Sequence, residues 1–415
     1  MRRFWLCCVS VILCVISSGC WNRMELNELG ITVATGFDRE GDDWVLSYQV
    51  IVPSASGASQ GGGATGGGNQ PSVYVFSTKG KTIREAADRG YLENPRQLYF
   101  AHTDIMVIGK EAAKAGIDQI LDLYFRNIDA RETVLVSVTD ETAADILRKM
   151  VPPEKIPGTA LADMLRKQAN FSSYYPVVKV YQLAQQLVSD ARTAGVPEIT
   201  VTKGNKKALE SLDINKTTSP PVKMKISRLA VFQDDRLVGY LDRQQSYGIS
   251  WLTDRVKGST LSFLCSRRGP EGESRGSVRI TSAKTKVTPV KEGGHYKMQV
   301  RTEAKGDLLM EYMCGEDLTK PGAISRLERI IADEIVNAID TGWKASQKLQ
   351  VDLPGFADKI HRKDPKGWKE LEKNWNQELA GIQLDIQVKM RLQRPGLFKK
   401  SFDILTKQAK AEDGT

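Results

Sequence analysis

Ile382-Gln383-Leu384-Asp385-Ile386-Gln387-Val388-Lys389-Met390-Arg391-Leu392 alternates apolar and polar residues without a break. Side chains on a strand point to opposite faces in turn, so this segment reads as a strand with one face buried and the other in water. Upstream, Ile324, Leu327, Ile331, Ile335, Ala338 and Ile339 recur at helical spacing. They form one stripe of a helix over about 324–348, with Arg326, Glu328, Asp333, Glu334 and Asn337 filling its other faces. A helix stripe and a strand face that both need cover pack as a helix-on-sheet layer. The fold class is therefore α+β.

Working outward, strands are expected around 259–266, 277–290 and 295–304, the last two joined by Glu292-Gly293-Gly294. Leu229–Gln233 and Leu237–Asp242 pair as a hairpin across Asp234-Asp235, and Gln244–Trp251 follows as a short helix. Residues 203–222, with Lys203, Lys206, Lys207, Pro220 and Pro221, read as a linker. That places a C-terminal α/β domain at 223–395 and a loose polar tail at 396–415. The N-terminal α/β region covers 20–202, as one or two subdomains. With 415 residues, two to three domains are expected, with mostly antiparallel or mixed sheets packed by helices.

Within the N-terminal region, Trp21–Leu29 reads as a short helix, Ile31–Thr35 as a strand and Phe37–Asp43 as a turn. Trp44, Leu46, Tyr48 and Val50 share one face of a second strand. Residues 53–71, rich in Gly and Ser, hold almost nothing to bury and read as a flexible insertion. Strands at 73–77, 97–101, 105–108 and 134–138 then alternate with helices at 82–89, 116–124 and 142–150. The alternation ends near Pro152-Pro153, and a helical stretch over 158–191 is broken around Tyr174-Tyr175-Pro176.

The chain starts with Arg2-Arg3, an apolar run from Phe4 to Ile16, and Ser17-Ser18-Gly19-Cys20. A basic head, a short apolar stretch and a small-residue cleavage site make a secretory signal, here 1–19. The apolar run is shorter than the ~20 residues a spanning helix needs. A cysteine directly after three small residues suggests a bacterial lipoprotein, with Cys20 diacylated after cleavage. Ser17 stands where such boxes usually carry Leu. Of the six cysteines only Cys265 and Cys314 then remain, and buried free thiols are expected over a disulfide.

Hydrophobic content of 41% and charged content of 26% are those of a globular protein. The net charge of +9 is spread among acidic residues without a long basic block, and no basic and aromatic residues interleave in a stripe. That argues against nucleic-acid binding and leaves a solvated basic surface, with attraction to anionic headgroups next.

The search for chemistry finds none. His102, His295 and His361 have no metal-ligand spacing, and no cysteine lies near enough to complete a zinc site. His102-Thr103-Asp104 could suggest a dyad, but neighbours on a strand face opposite ways, so His102 is read as structural. His295 falls in a hairpin turn and His361 in a solvated stretch. Gly57-Ala58-Ser59-Gln60-Gly61 and the Gly61, Gly63, Gly66 triplet spell enzyme signatures, yet sit in the Gly/Ser insertion without strand-turn-helix context. Gly80-Lys81-Thr82 ends like a P-loop, but Val75 occupies the position of its first glycine. No catalytic residue, metal or cofactor is assigned, and a non-enzymatic protein is expected.

Several tracts resemble one family. Cys20-Trp21-Asn22-Arg23-Met24-Glu25-Leu26-Asn27-Glu28-Leu29-Gly30 resembles the mature start of the Ger(x)C spore germination lipoproteins. Gln97-Leu98-Tyr99-Phe100-Ala101-His102 is similar to that family's tract before its apolar strand. Leu229-Ala230-Val231-Phe232, Leu237–Leu241 and Trp251-Leu252-Thr253 resemble the opening of its C-terminal domain. Asp352-Leu353 through Phe356, then Trp368 and Trp375, resemble its late helical segment. The tracts run in register from Cys20 to about Pro395.

The resemblance implies three α/β domains unlike enzyme scaffolds. It also implies the C subunit of a nutrient germinant receptor, lipid-anchored on the outer surface of the spore inner membrane of a Gram-positive endospore former. Its partners would be a multi-span A subunit and a permease-like B subunit, with nutrient binding assigned to B. Only Cys20 carries over with a chemical role, lipid attachment. The alternative from another class is a solute-binding lipoprotein of a transporter, which usually has two matched lobes.

Overall fold

The computed structural model describes residues 2–5, 28–52, 70–127, 129–269, 272–312, 318, 320–394 and 405–406. Cys20, the segment 21–27, most of the signal region, the insertion over 53–69 and most of the tail lie outside the described residues.

In chain order the first half holds β1 (Leu29–Glu40), β2 (Asp43–Ile51), β3 (Val73–Gly80), α1 (Ile83–Glu93), β4 (Gln97–Tyr99), β5 (Ile105–Gly109), α2 (Lys110–Ala115), α3 (Asp118–Arg126), β6 (Leu135–Thr139) and α4 (Ala143–Arg148). Then follow α5 (Pro157–Phe171), α6 (Val180–Leu187), β7 (Thr193–Val201), β8 (Met224–Gln233), β9 (Arg236–Leu241) and α7 (Arg243–Leu252). The second half holds β10 (Ser259–Gly269), β11 (Gly272–Glu292), β12 (His295–Tyr312), α8 (Ala323–Lys348), α9 (Phe356–Lys363), α10 (Pro365–Leu371), α11 (Trp375–Gly381) and β13 (Gln383–Arg394).

Two mixed sheets organise these elements. The first runs β3-β2-β1-β5-β6-β7-β8-β9, with β4 beside β1. Its β3-β2-β1 and β7-β8-β9 thirds are antiparallel, and β1-β5-β6 is parallel, crossed by helices as parallel strands require. Both faces are covered, so β5 and β6 are buried at every position. The second sheet runs β10-β11-β12-β13, with β13 parallel to β12.

The helix stripe and the alternating strand meet as expected. Leu327, Ile331, Ile335 and Ile339 are fully buried on α8 and share one core with Met298, Val300 and Met390 of the second sheet. The same stripe continues to Gly342, where α8 crosses α7 so closely that Gly248 and Gly342 touch backbone to backbone, leaving no room for a Cβ on either.

Three expectations need correcting. Phe37–Asp43 is not all turn: β1 continues to Glu40 and only Gly41-Asp42 turns before β2. Asp38 can lie in the strand because its carboxylate accepts hydrogen bonds from the Ala143 and Ala144 amides at 2.7 and 3.0 Å, capping α4. Residues 203–222 differ from a linker too. They form two 3-10 turns, Lys206–Glu210 and Leu212–Lys216, whose Leu209 and Ile214 are buried in the same core as Val222. The hairpin β8-β9 lies beside β7, its β8 strand pairing antiparallel with β7 at the end of the first sheet. Finally, Cys265 is disulfide-bonded rather than a free thiol, and its partner lies outside the described residues.

Candidate functional site

A cavity of about 290 Å³ opens between the first sheet and the helices α1 and α3. Its floor is built from strand positions far apart in sequence: Thr35 and Phe37 on β1, Leu46 and Tyr48 on β2, and Leu98 on β4. Tyr124 of α3 closes one side, its phenol 2.6 Å from the Thr35 hydroxyl in a buried hydrogen bond. Burial pushes the Tyr48 and Tyr124 phenols above their ordinary range, so both stay neutral. Tyr48 packs its ring 5.1 Å from Phe76 and 6.0 Å from Phe100. The rim carries both signs of charge, with Arg84 paired to Asp88 and Arg126 paired to Asp122. The size suits one small ring or side chain, held by apolar contact and oriented by hydroxyls. Nothing there supplies a nucleophile with a base.

The buried carboxylates elsewhere serve the fold. Asp352 is 2% exposed and accepts hydrogen bonds from the Phe356 and Ala357 amides at 2.8 and 2.7 Å, capping α9 as Asp38 caps α4. Burial outweighs those two hydrogen bonds and pushes its carboxyl up to about 6. Glu198 on β7 is fully buried and accepts from the Arg228 guanidinium (Nε at 2.7 Å) and from the Ser227 hydroxyl at 2.6 Å.

The three histidines remain apart. His102 follows β4 with its ring edge-on to Tyr99, while the Asp104 carboxylate accepts from the Thr159 hydroxyl and the Arg166 guanidinium. His295 meets Glu378 at 3.1 Å, and His361 meets Asp190 at 2.8 Å. His361 is exposed, as expected, on α9 with its ring stacked on Trp368. Among the described residues no group of three His, Cys, Asp or Glu side chains could hold a metal ion. Also among them, no helix is long and apolar enough to cross a membrane. Cys20, the site residue expected from sequence, lies outside the described residues. The cavity residues share no signal in the sequence because five elements and the turns beside them deliver them, each through an unremarkable position.

The family described as "Spore germination protein N-terminal domain" matches residues 22–201, and "Spore germination B3/ GerAC like, C-terminal" matches residues 227–396. The chain is 28% identical to spore germination protein KC of Bacillus subtilis (strain 168) over 407 residues, covering 96% of this chain and 97% of that one. It is 20% identical to spore germination protein B3 of the same organism, covering 86% of this chain and 89% of that one. Its fold is similar to the crystal structure of the GerBC protein, with a TM-score of 0.54 at 16% identity over 87% of this chain and 97% of that one. Both domain matches, in order and along nearly the full length, establish that the chain belongs to the Ger(x)C family of spore germination proteins.

Proposed function

We propose that this chain is a non-catalytic C subunit of a spore nutrient germinant receptor, held on the outer surface of the spore inner membrane by lipid on Cys20. The observation that carries the reading is the pair of family matches spanning 22–201 and 227–396. The relatives' names, germination proteins KC, B3 and A3, support it. The partners are a multi-span A subunit and a permease-like B subunit. A lipid tether confines the domains to a thin layer at the membrane and raises their effective concentration for such partners. Direct nutrient binding by this chain is not expected.

The solute-binding alternative is less well supported, since the two sheets differ in strand number and order and make no matched pair of lobes. Replacing Cys20 by Ala in a cell lacking the A and B subunits tests the tether. The protein should leave the membrane fraction for the soluble one; unchanged membrane recovery would refute lipid attachment at Cys20.

A further inference from the structure

The four-stranded sheet presents one face to α8 and the other to solvent. On the solvent face the register sets Lys286 of β11 opposite Arg301 of β12, and Lys305 of β12 opposite Arg391 of β13. The row between them is Lys284, Glu303 and Lys389. These side chains are all exposed. Three adjacent rows thus hold six bases and one acid, with Asp385 and Asp307 on the rows that flank them. Lys284 pairs with Asp254 at the strand edge. Among the described residues, the side chains of Lys286, Arg301, Lys305, Lys389 and Arg391 make no ion pair or hydrogen bond.

Like charges set directly opposite each other destabilise a sheet, and Lys286 with Arg301 and Lys305 with Arg391 do so twice. Folding alone gains nothing from that arrangement. We propose that this face docks on an anionic phospholipid surface. Charge complementarity selects that partner. The three rows hold no apolar or aromatic side chain of the kind that anchors the centre of a protein–protein interface. Long Lys and Arg side chains reach individual phosphates without needing a matched shape. The proposal extends the membrane reading above but does not depend on Cys20. Failure at Cys20 and failure at this face are therefore read separately.

The test uses the full chain carrying Cys20→Ala and vesicles of phosphatidylcholine with or without phosphatidylglycerol. The excess binding to the anionic vesicles, measured by co-sedimentation, removes any contribution of the apolar N-terminal run. Lys286→Gln, Arg301→Gln, Lys305→Gln and Lys389→Gln together should weaken that excess by at least about tenfold in ~0.1 M salt. Neutralising the exposed Lys203, Lys207, Lys223 and Lys225 instead should weaken it by less than about threefold. Because the sheet face loses its opposed charges, the melting temperature of the first variant should stay level or rise. Equal losses for the two quadruple variants would reduce the effect to bulk charge and overturn the proposal. So would an absence of excess binding to anionic vesicles in the parent.

Discussion

Gly342→Ala sets two effects of known size against each other. In the middle of an exposed helix the change should stabilise by about 1 kcal/mol, because alanine is the better helix former. Here a Cβ at Gly342 would lie 2.7 Å from the Gly248 Cα, from its carbonyl carbon and from the Ile249 amide nitrogen. Ordinary contact between carbon atoms is about 3.5–4.0 Å, so α7 and α8 would have to part by about 1 Å. Backbone atoms cannot rotate out of the way as a side-chain tip can. Overpacking of this kind costs about 1–3 kcal/mol. Separating the helices also loosens Trp251 and Ile335, both buried in the same core. The expected net effect is a loss of about 1–2 kcal/mol, read as a lower urea midpoint for the second half of the chain. Gly381→Ala, at the end of α11 with nothing within 4 Å of the added methyl, should instead be neutral or stabilising by up to about 1 kcal/mol. If Gly342→Ala stabilised as Gly381→Ala does, the close helix crossing would be refuted.

Ile335→Ala should cost about 2–5 kcal/mol in chemical denaturation, while Asp333→Ala on an exposed face of α8 should cost under about 0.5. An unchanged melting curve with lost receptor assembly would make the α8 stripe a docking face. The Asp352 carboxyl, raised to about 6 from 3.8 when unfolded, binds its proton more tightly in the folded state. Its contribution to stability should therefore fall by up to roughly 3 kcal/mol as pH rises from about 4 to 6, and Asp352→Asn should flatten that dependence in melts at several pH values. Deleting residues 55–70 should change stability by only on the order of 1 kcal/mol, and a fall in melting temperature above about 10 °C would show that the segment packs.

The parts of this fold that were legible in the sequence are those where burial follows a single period. The 382–392 alternation and the 324–339 stripe name their own buried faces, and Trp44, Leu46, Tyr48 and Val50 do the same on β2. β7 carries no legible period: Gly195, Pro197 and Glu198 interrupt its apolar pattern, although every residue in it is buried. Glu198 is tolerated there only because Arg228, thirty positions later, neutralises it, a pairing no local window contains. Asp38 read as a turn residue for the same reason, since its amide partners lie more than 100 residues away. The linker reading of 203–222 followed its lysines and prolines, whereas Leu209, Ile214 and Val222 decide the packing. The cavity was hidden because Thr35, Tyr48 and Tyr124 have no spacing in common, and only the sheet order brings them together.

The central claim is membership of a membrane receptor complex. It is tested most directly by solubilising spore inner membranes in mild detergent, capturing this chain through an affinity tag, and identifying what comes with it by mass spectrometry. The multi-span A and permease-like B subunits should be co-recovered with it in fixed proportion. Recovery of the chain alone, or with the permease of a solute transporter in their place, would contradict it.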